Sequence, residues 1–145
     1  MSVTLPDKWI RKAVSNAINN IVVDSVTIPC YDTYVTGEKK NAYVLMTTQT
    51  SLLENNTKCD DKWNSSILLD IFTKYLSAGN TGSRLFADNI ADEVRRLTDN
   101  LVLDPDSDLR IIWQRGDFEN DISSSTKNEN VFRKLYRLEF MIQEV

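Results

Sequence analysis

The spacing of apolar residues changes once, near residue 21, and that change decides most of what the chain can fold into. Before it, Leu5, Trp9, Ile10, Ala13, Val14, Ala17, Ile18 and Ile21 recur at intervals of one, three and four, which places them on one stripe of an α-helix. Pro6 suits a first turn whose N–H groups have no intrahelical partner, and Thr4 followed by Asp7 predicts a capping box. After residue 21 the period is two. Val26, Ile28 and Cys30 alternate with polar or turn-forming neighbours, and Tyr31–Val35 leads to a turn at Thr36-Gly37-Glu38. Ala42–Ser51 reads as a second strand, and Asn64–Tyr75 as the strongest one. The latter has Ile67, Leu69 and Ile71 on one face and Leu68, Asp70, Phe72 and Lys74 on the other. So apolar a face must pack against helices.

The helical period returns over about 83–100, where Phe86, Ile90, Val94, Leu97 and Leu101 form the stripe and Asp88, Asp92, Glu93, Arg95 and Arg96 the wet side. Leu109–Gln114 and Val131–Ile142 close the chain as strands. In the last, Phe132, Tyr136, Leu138, Phe140 and Ile142 oppose Arg133, Leu135, Arg137, Glu139 and Met141. The order α-β-β-β-α-β-β predicts an α+β fold: an antiparallel β-sheet of four to five strands with two amphipathic helices packed on one face. The 145 residues are the size of one ordinary domain, so residues 1–145 read as a single α+β domain.

Composition narrows the function classes. The chain has no histidine, which removes the commonest general base, pH switch and transition-metal ligand together. Its formal charge of −4 opposes a grip on nucleic acid, which depends on neutralising phosphates with Lys and Arg. Cys30 and Cys59 are too few and too far apart for a disulfide framework or a zinc site, and read as free thiols. No apolar run approaches the roughly 20 residues that span a bilayer. The N-terminus lacks a signal peptide's apolar region, so a cytoplasmic protein, or one assembled there, is expected.

Four motifs fail their chemistry. Asp104, Asp106 and Asp108 open like a calcium loop, but Leu109 stands where glycine is needed and Arg115 where a bidentate glutamate belongs. They read instead as a turn in which aspartates bond the local backbone. Gly79 and Gly82 before a helix lack the P-loop lysine, and Ser124 with Lys127 lacks the partner motifs of serine–lysine enzymes. Arg115-Gly116-Asp117 reads as a turn leaving a strand, with glycine supplying a backbone conformation others resist. No carboxylate pair stands out, no cofactor or metal is called for, and the chain does not read as an enzyme.

What is left is a polar tract, Gly116–Asn130, with Phe118 and Ile122 as isolated apolar points. It predicts a long polar loop or arm at 115–130: a mobile surface loop, or an arm or extended hairpin tip that orders against a neighbouring subunit. The mixed face of the last strand reads either as a solvated face or as an interface with an aliphatic centre and charged rim.

The succession of elements resembles the tail-completion or tail-terminator proteins of tailed bacteriophages. The segments that carry the resemblance are the leading helix, "VTIPCYDTYVTGEKKNAYVLM", "SILLDIFTKY", "SRLFADNIADEVRRLTDN" and "LYRLEFMIQ". The tract at Arg115–Asn130 is longer than a minimal member needs, which leaves a different ring of the head-to-tail neck open. The resemblance implies a structural virion protein, assembled in the host cytoplasm, that forms a homo-oligomeric ring at the head–tail junction beside other tail or neck proteins. DNA passes through such a ring without being bound specifically, and an acidic balance helps by repelling phosphate. A closed ring of head-to-tail contacts needs two different patches per subunit. Arg133, Leu135, Arg137 and Glu139 are the expected first patch, and the arm with Phe118, Ile122 and Lys127 part of the second. The competing class is a monomeric acidic binding module or inhibitor that covers a basic protein.

Overall fold

A computed structural model describes residues 5–32, 41–54, 62–76, 84–125 and 129–145. In chain order the elements are α1 (Asp7–Ile18), β1 (Ile21–Val23), β2 (Val26–Ile28), β3 (Cys30–Asp32), β4 (Ala42–Glu54), β5 (Lys62–Leu76), α2 (Arg84–Thr98), a short 3-10 turn (Pro105–Ser107), β6 (Leu109–Ser125) and β7 (Glu129–Glu144). β3-β4-β5-β7-β6 form one five-stranded sheet, and β1-β2 a separate two-stranded ribbon.

The architecture is α+β, with the helical stripes where their periods put them. Ile10, Val14 and Ile18 of α1 and Ile90, Ala91 and Val94 of α2 are buried against one face of the sheet. That face is supplied by Val44 and Met46, by Ile67, Leu69 and Ile71, and by Tyr136, Leu138, Phe140 and Ile142. Each large aliphatic buried there contributes about 1.5–3 kcal/mol.

Four local expectations are revised. The capping box is not what starts α1: Pro6 is the N-cap residue and has no side-chain cap bond. Thr4 lies outside the described residues, and the Asp7 carboxylate accepts from the Ser51 hydroxyl of β4 instead. The φ of proline is already helical, so the turn closes without a side-chain cap, with Ile10 N–H bonded to Pro6 O at 2.9 Å.

The alternating run over Val26–Cys30 is two strands, not one. β1 and β2 fold back on each other through Asp24 and Ser25, both at positive φ, the backbone of a tight hairpin turn. Pro29 then separates β2 from β3, and its carbonyl accepts from Val44 N–H at 2.9 Å. β3 pairs parallel to β4 over Cys30–Asp32, while every other pair in the main sheet is antiparallel.

The loop or arm at 115–130 is corrected most. Residues 115–125 continue β6, which is hydrogen-bonded to β7 as far as Ser125↔Asn130; 126–128 lie outside the described residues. Of the expected forms, the extended hairpin is the one present, and it lies along β5 rather than standing free, since β7 pairs with β5 up to Leu76↔Glu129. The tract reads as a loop because β-bulges fall between Ile111 and Trp113 and between Phe118 and Asn120. Each inserted residue reverses which parity faces the core, so no one alternation runs through the strand.

Gly116 is correspondingly no turn. It sits in mid-strand opposite Leu138, where a Cβ would meet Tyr136 Oη at 1.8 Å. Glycine is required there for space, not for backbone freedom. Asp104 does behave as the turn reading expects, its carboxylate accepting from Asp106 N–H at 2.9 Å.

Candidate functional site

Both helices lie on one face of the sheet, and among the described residues no element covers the other. The open face is built by parity. On β5 it takes Asn64, Ser66, Leu68, Asp70, Phe72 and Lys74; on β7 it takes Arg133, Leu135, Arg137, Glu139 and Met141. β4 adds Tyr43, Leu45, Thr50 and Leu52, and β6 adds Trp113, Arg115, Asp117, Asn120 and Ile122.

Long helix-side contacts fix this layer in place. Gln114 reaches under the end of α2, donating to Thr98 O at 2.6 Å and accepting from Leu101 N–H at 3.1 Å, which satisfies groups a helix end leaves without partners. Gln49 ties the sheet to α1, donating to Asp7 O at 2.9 Å and accepting from Arg11 Nε at 2.6 Å. Lys134 bridges α2 to the hairpin, 2.9 Å from Asp88 and 3.2 Å from Asp121, and both contacts raise its pKa.

The middle of the open face is a series of paired charges. Arg133 grips Asp70 with Nε at 3.1 Å and Nη2 at 2.5 Å from Oδ2. Asp70 is only 6 % exposed although it lies on the uncovered side. Its hydrogen bonds hold the Arg133 guanidinium above its ordinary pKa. Arg137 Nε lies 2.5 Å from Glu119 Oε1, and its Nη1 donates to Ser66 Oγ at 3.2 Å. Arg115 reaches Asp117 at 2.7 Å and Glu139 at 3.9 Å, and its pKa is raised by that company.

Aromatic groups flank the charges. Tyr43 stacks on Phe72 at 4.6 Å and meets Tyr31 edge-on at 5.8 Å. At the other end Trp113 is 49 % exposed beside a shallow depression of about 350 Å³ bordered by Thr50, Asn64, Ser66 and Glu139.

The expected site residues therefore do not form two patches. Ile122, Arg133, Leu135, Arg137 and Glu139 share the open face, with Ile122 directly opposite Arg133. Phe118 is on the helix side, stacked on Tyr136 at 4.4 Å with Lys134 Nζ 5.4 Å from its ring. Lys127 lies outside the described residues. Sequence reasoning missed Trp113, Tyr31, Tyr43, Phe72 and Asp70 as members of this surface. Strand parity carried the signal for Phe72 and Asp70, which alternate with the buried Ile67, Leu69 and Ile71; only the bulge turns Trp113 outward.

Chemically the face offers burial and ion pairing. Among the described residues no cluster of three or more acidic or cysteine side chains is placed to hold a metal ion. The Cys30 pKa is pushed up to about 12, chiefly by burial, which keeps the thiol protonated at neutral pH. No described helix is long and apolar enough to cross a membrane.

The chain is similar to a virion component. No protein-family model matches it, and no curated protein does. A solved structure titled "Virion of native gene transfer agent (GTA) particle" contains a chain that superposes with a TM-score of 0.62 at 13% identity, over 96% of this chain and 99% of that one. At that identity the likeness shows a shared fold from end to end.

Proposed function

We propose that this protein is a structural subunit of a virion of the tailed-phage type, assembling with copies of itself into a ring at the head–tail junction. The observation that carries the reading is the near-complete coverage of both chains in the likeness to a virion component. A shared fold leaves function to the site, and here the site is a broad sheet face of paired charges flanked by Tyr43, Phe72 and Trp113, with the aromatic residues and arginines that protein contacts favour. In this reading the subunit catalyses no reaction, and its ring surrounds passing DNA without holding it. The net charge of −4 suits that task, since it repels phosphate. The ring is assembled in the host cytoplasm and stays in the virion beside other tail or neck proteins, as a tail terminator or another neck ring.

The test is native mass across a wide concentration range, followed by imaging of the large species. Closed rings of uniform diameter are expected. A protein that stays monomeric at every concentration, and forms a stable one-to-one complex with a basic partner, would instead be an acidic binding module.

A further inference from the structure

The two sides of the molecule differ in charge. On the open face the arginines Arg115, Arg133 and Arg137 each sit in an ion pair, and Lys74 meets Glu129 at 3.7 Å. Among the described residues that face is close to balance, and their excess of acid lies elsewhere. The helix side holds the excess: Asp92, Asp99, Asp106 and Asp108 are exposed, and none forms a salt bridge among the described residues. Asp92 lies on α2, Asp99 just beyond its end, and Asp106 and Asp108 in the segment returning to β6.

We infer that neighbouring copies stack head to tail, the open sheet face of one against the acidic helix side of the next. This rests on the self-assembly reading above and names its two surfaces. Size supports it: four strands of roughly 15 residues, at about 3.3 Å per residue and about 4.8 Å apart, present roughly 900 Å². A stable interface takes about 800 Å² from each partner. Composition supports it too, because Tyr31, Phe72, Trp113, Met141 and the arginines are residue types enriched at interface cores. Arg115, Arg133 and Arg137 already have carboxylates, so covering them strands no charge, while Arg110 at the edge of the face bonds only Gln143 and forms no salt bridge among the described residues. Arginine donors left over from those pairs then face carboxylates such as Asp92 and Asp99. A contact between two unlike surfaces propagates, into a closed ring where the rotation from copy to copy closes and into a filament where it does not, whereas sheet against sheet would stop at a dimer.

Two variants of the full chain separate these arrangements. One, Trp113→Glu with Ile122→Glu, spoils the sheet face; the other, Asp92→Arg with Asp99→Arg, spoils the helix side. Circular dichroism and thermal melting establish that both fold, and Leu52→Glu, at a side chain 67 % exposed, is a milder substitute for the first. Each variant alone should need roughly 30-fold more protein to assemble, the size of a lost interface anchor. Mixed in equal amounts they should form a one-to-one pair and nothing larger, because one intact contact remains between them. If the helix-side variant assembles as well as the wild type, or the mixture stays monomeric while the wild type forms rings, the head-to-tail assignment is wrong and the ring stands. If the wild type never self-associates, the ring reading itself fails.

Discussion

Gly116 and Tyr136 fit closely across the hairpin. A methyl group on Gly116 would overlap the Tyr136 ring, with Oη at 1.8 Å and ring carbons at 2.4 and 2.8 Å. Tyr136 cannot retreat easily: it is 2 % exposed, Phe118 stacks on it, and its hydroxyl is tied to the Thr98 side chain. Gly116→Ala should therefore cost about 1–3 kcal/mol, the range for overpacking, read as a lower urea midpoint. Adding Tyr136→Leu should return part of that loss, so that the double variant is more stable than the two single costs imply. Strictly additive costs would mean that the clash is relieved elsewhere. Asp104 offers a pH-dependent case. Its carboxyl is held below the ordinary value, first by the hydrogen bond from Lys12 and then by Asp106 N–H. A lowered folded pKa stabilises above the unfolded value of about 3.8 and loses that contribution as pH falls through the folded value. Asp104→Asn keeps an oxygen for the backbone turn and removes the charge paired with Lys12. Wild type should melt higher at pH 7, and the gap should close below the ordinary carboxylate range; a gap constant from pH 7 to pH 2 would exclude the ion pair as its source.

The long hairpin is the element that the sequence concealed. Apolar parity reveals β5 and β7 because their inner faces are unbroken: Ile67, Leu69 and Ile71 on one, Tyr136, Leu138, Phe140 and Ile142 on the other. β6 has the same extended backbone, but its bulges change the phase twice and its middle is polar, since that part packs by ion pairs rather than by apolar burial. The two helices were legible from their stripes, and Arg133, Leu135, Arg137 and Glu139 from shared parity. Their union with Ile122 depends on a register that only β6–β7 pairing supplies. The Asp70–Arg133 pair makes a prediction at this scale. The Asp70 side chain is 9 % exposed and that of Arg133 40 %, so the two ends of the pair are not equivalent. Removing the arginine strands a nearly buried carboxylate, whereas removing the carboxylate leaves a cation that can turn to water. Arg133→Met should destabilise more than Asp70→Asn, by about 1–2 kcal/mol in urea unfolding. Equal losses would show that the carboxylate relaxes into solvent when its partner goes.

For the whole molecule, the proposed assembly would feel charge in two opposed ways that salt separates. Each copy carries −4, and folded chains of this size have a radius of gyration of about 15 Å, so neighbours in contact have centres roughly 30 Å apart. In bulk water without salt their mutual repulsion is about 2 kcal/mol. The Debye length is about 30 Å at 0.01 M salt and about 10 Å at 0.1 M, so about a third of that repulsion survives at the lower concentration and about a twentieth at the higher. Pairs formed across a sheet-to-helix contact lie within a few ångströms and are partly desolvated. They persist at 0.1 M and weaken only as the Debye length falls to about 3 Å near 1 M. Self-association should therefore be tightest at about 0.1 M salt and weaker on either side, as read from the concentration of half-assembly in sedimentation or light scattering. The variant Asp92→Arg with Asp99→Arg lowers the net negative charge and removes the complementary acids together. It should lose the high-salt decline along with its affinity. Assembly that tightens steadily up to 1 M salt would point to an apolar contact in which the charge difference between the two sides plays no part.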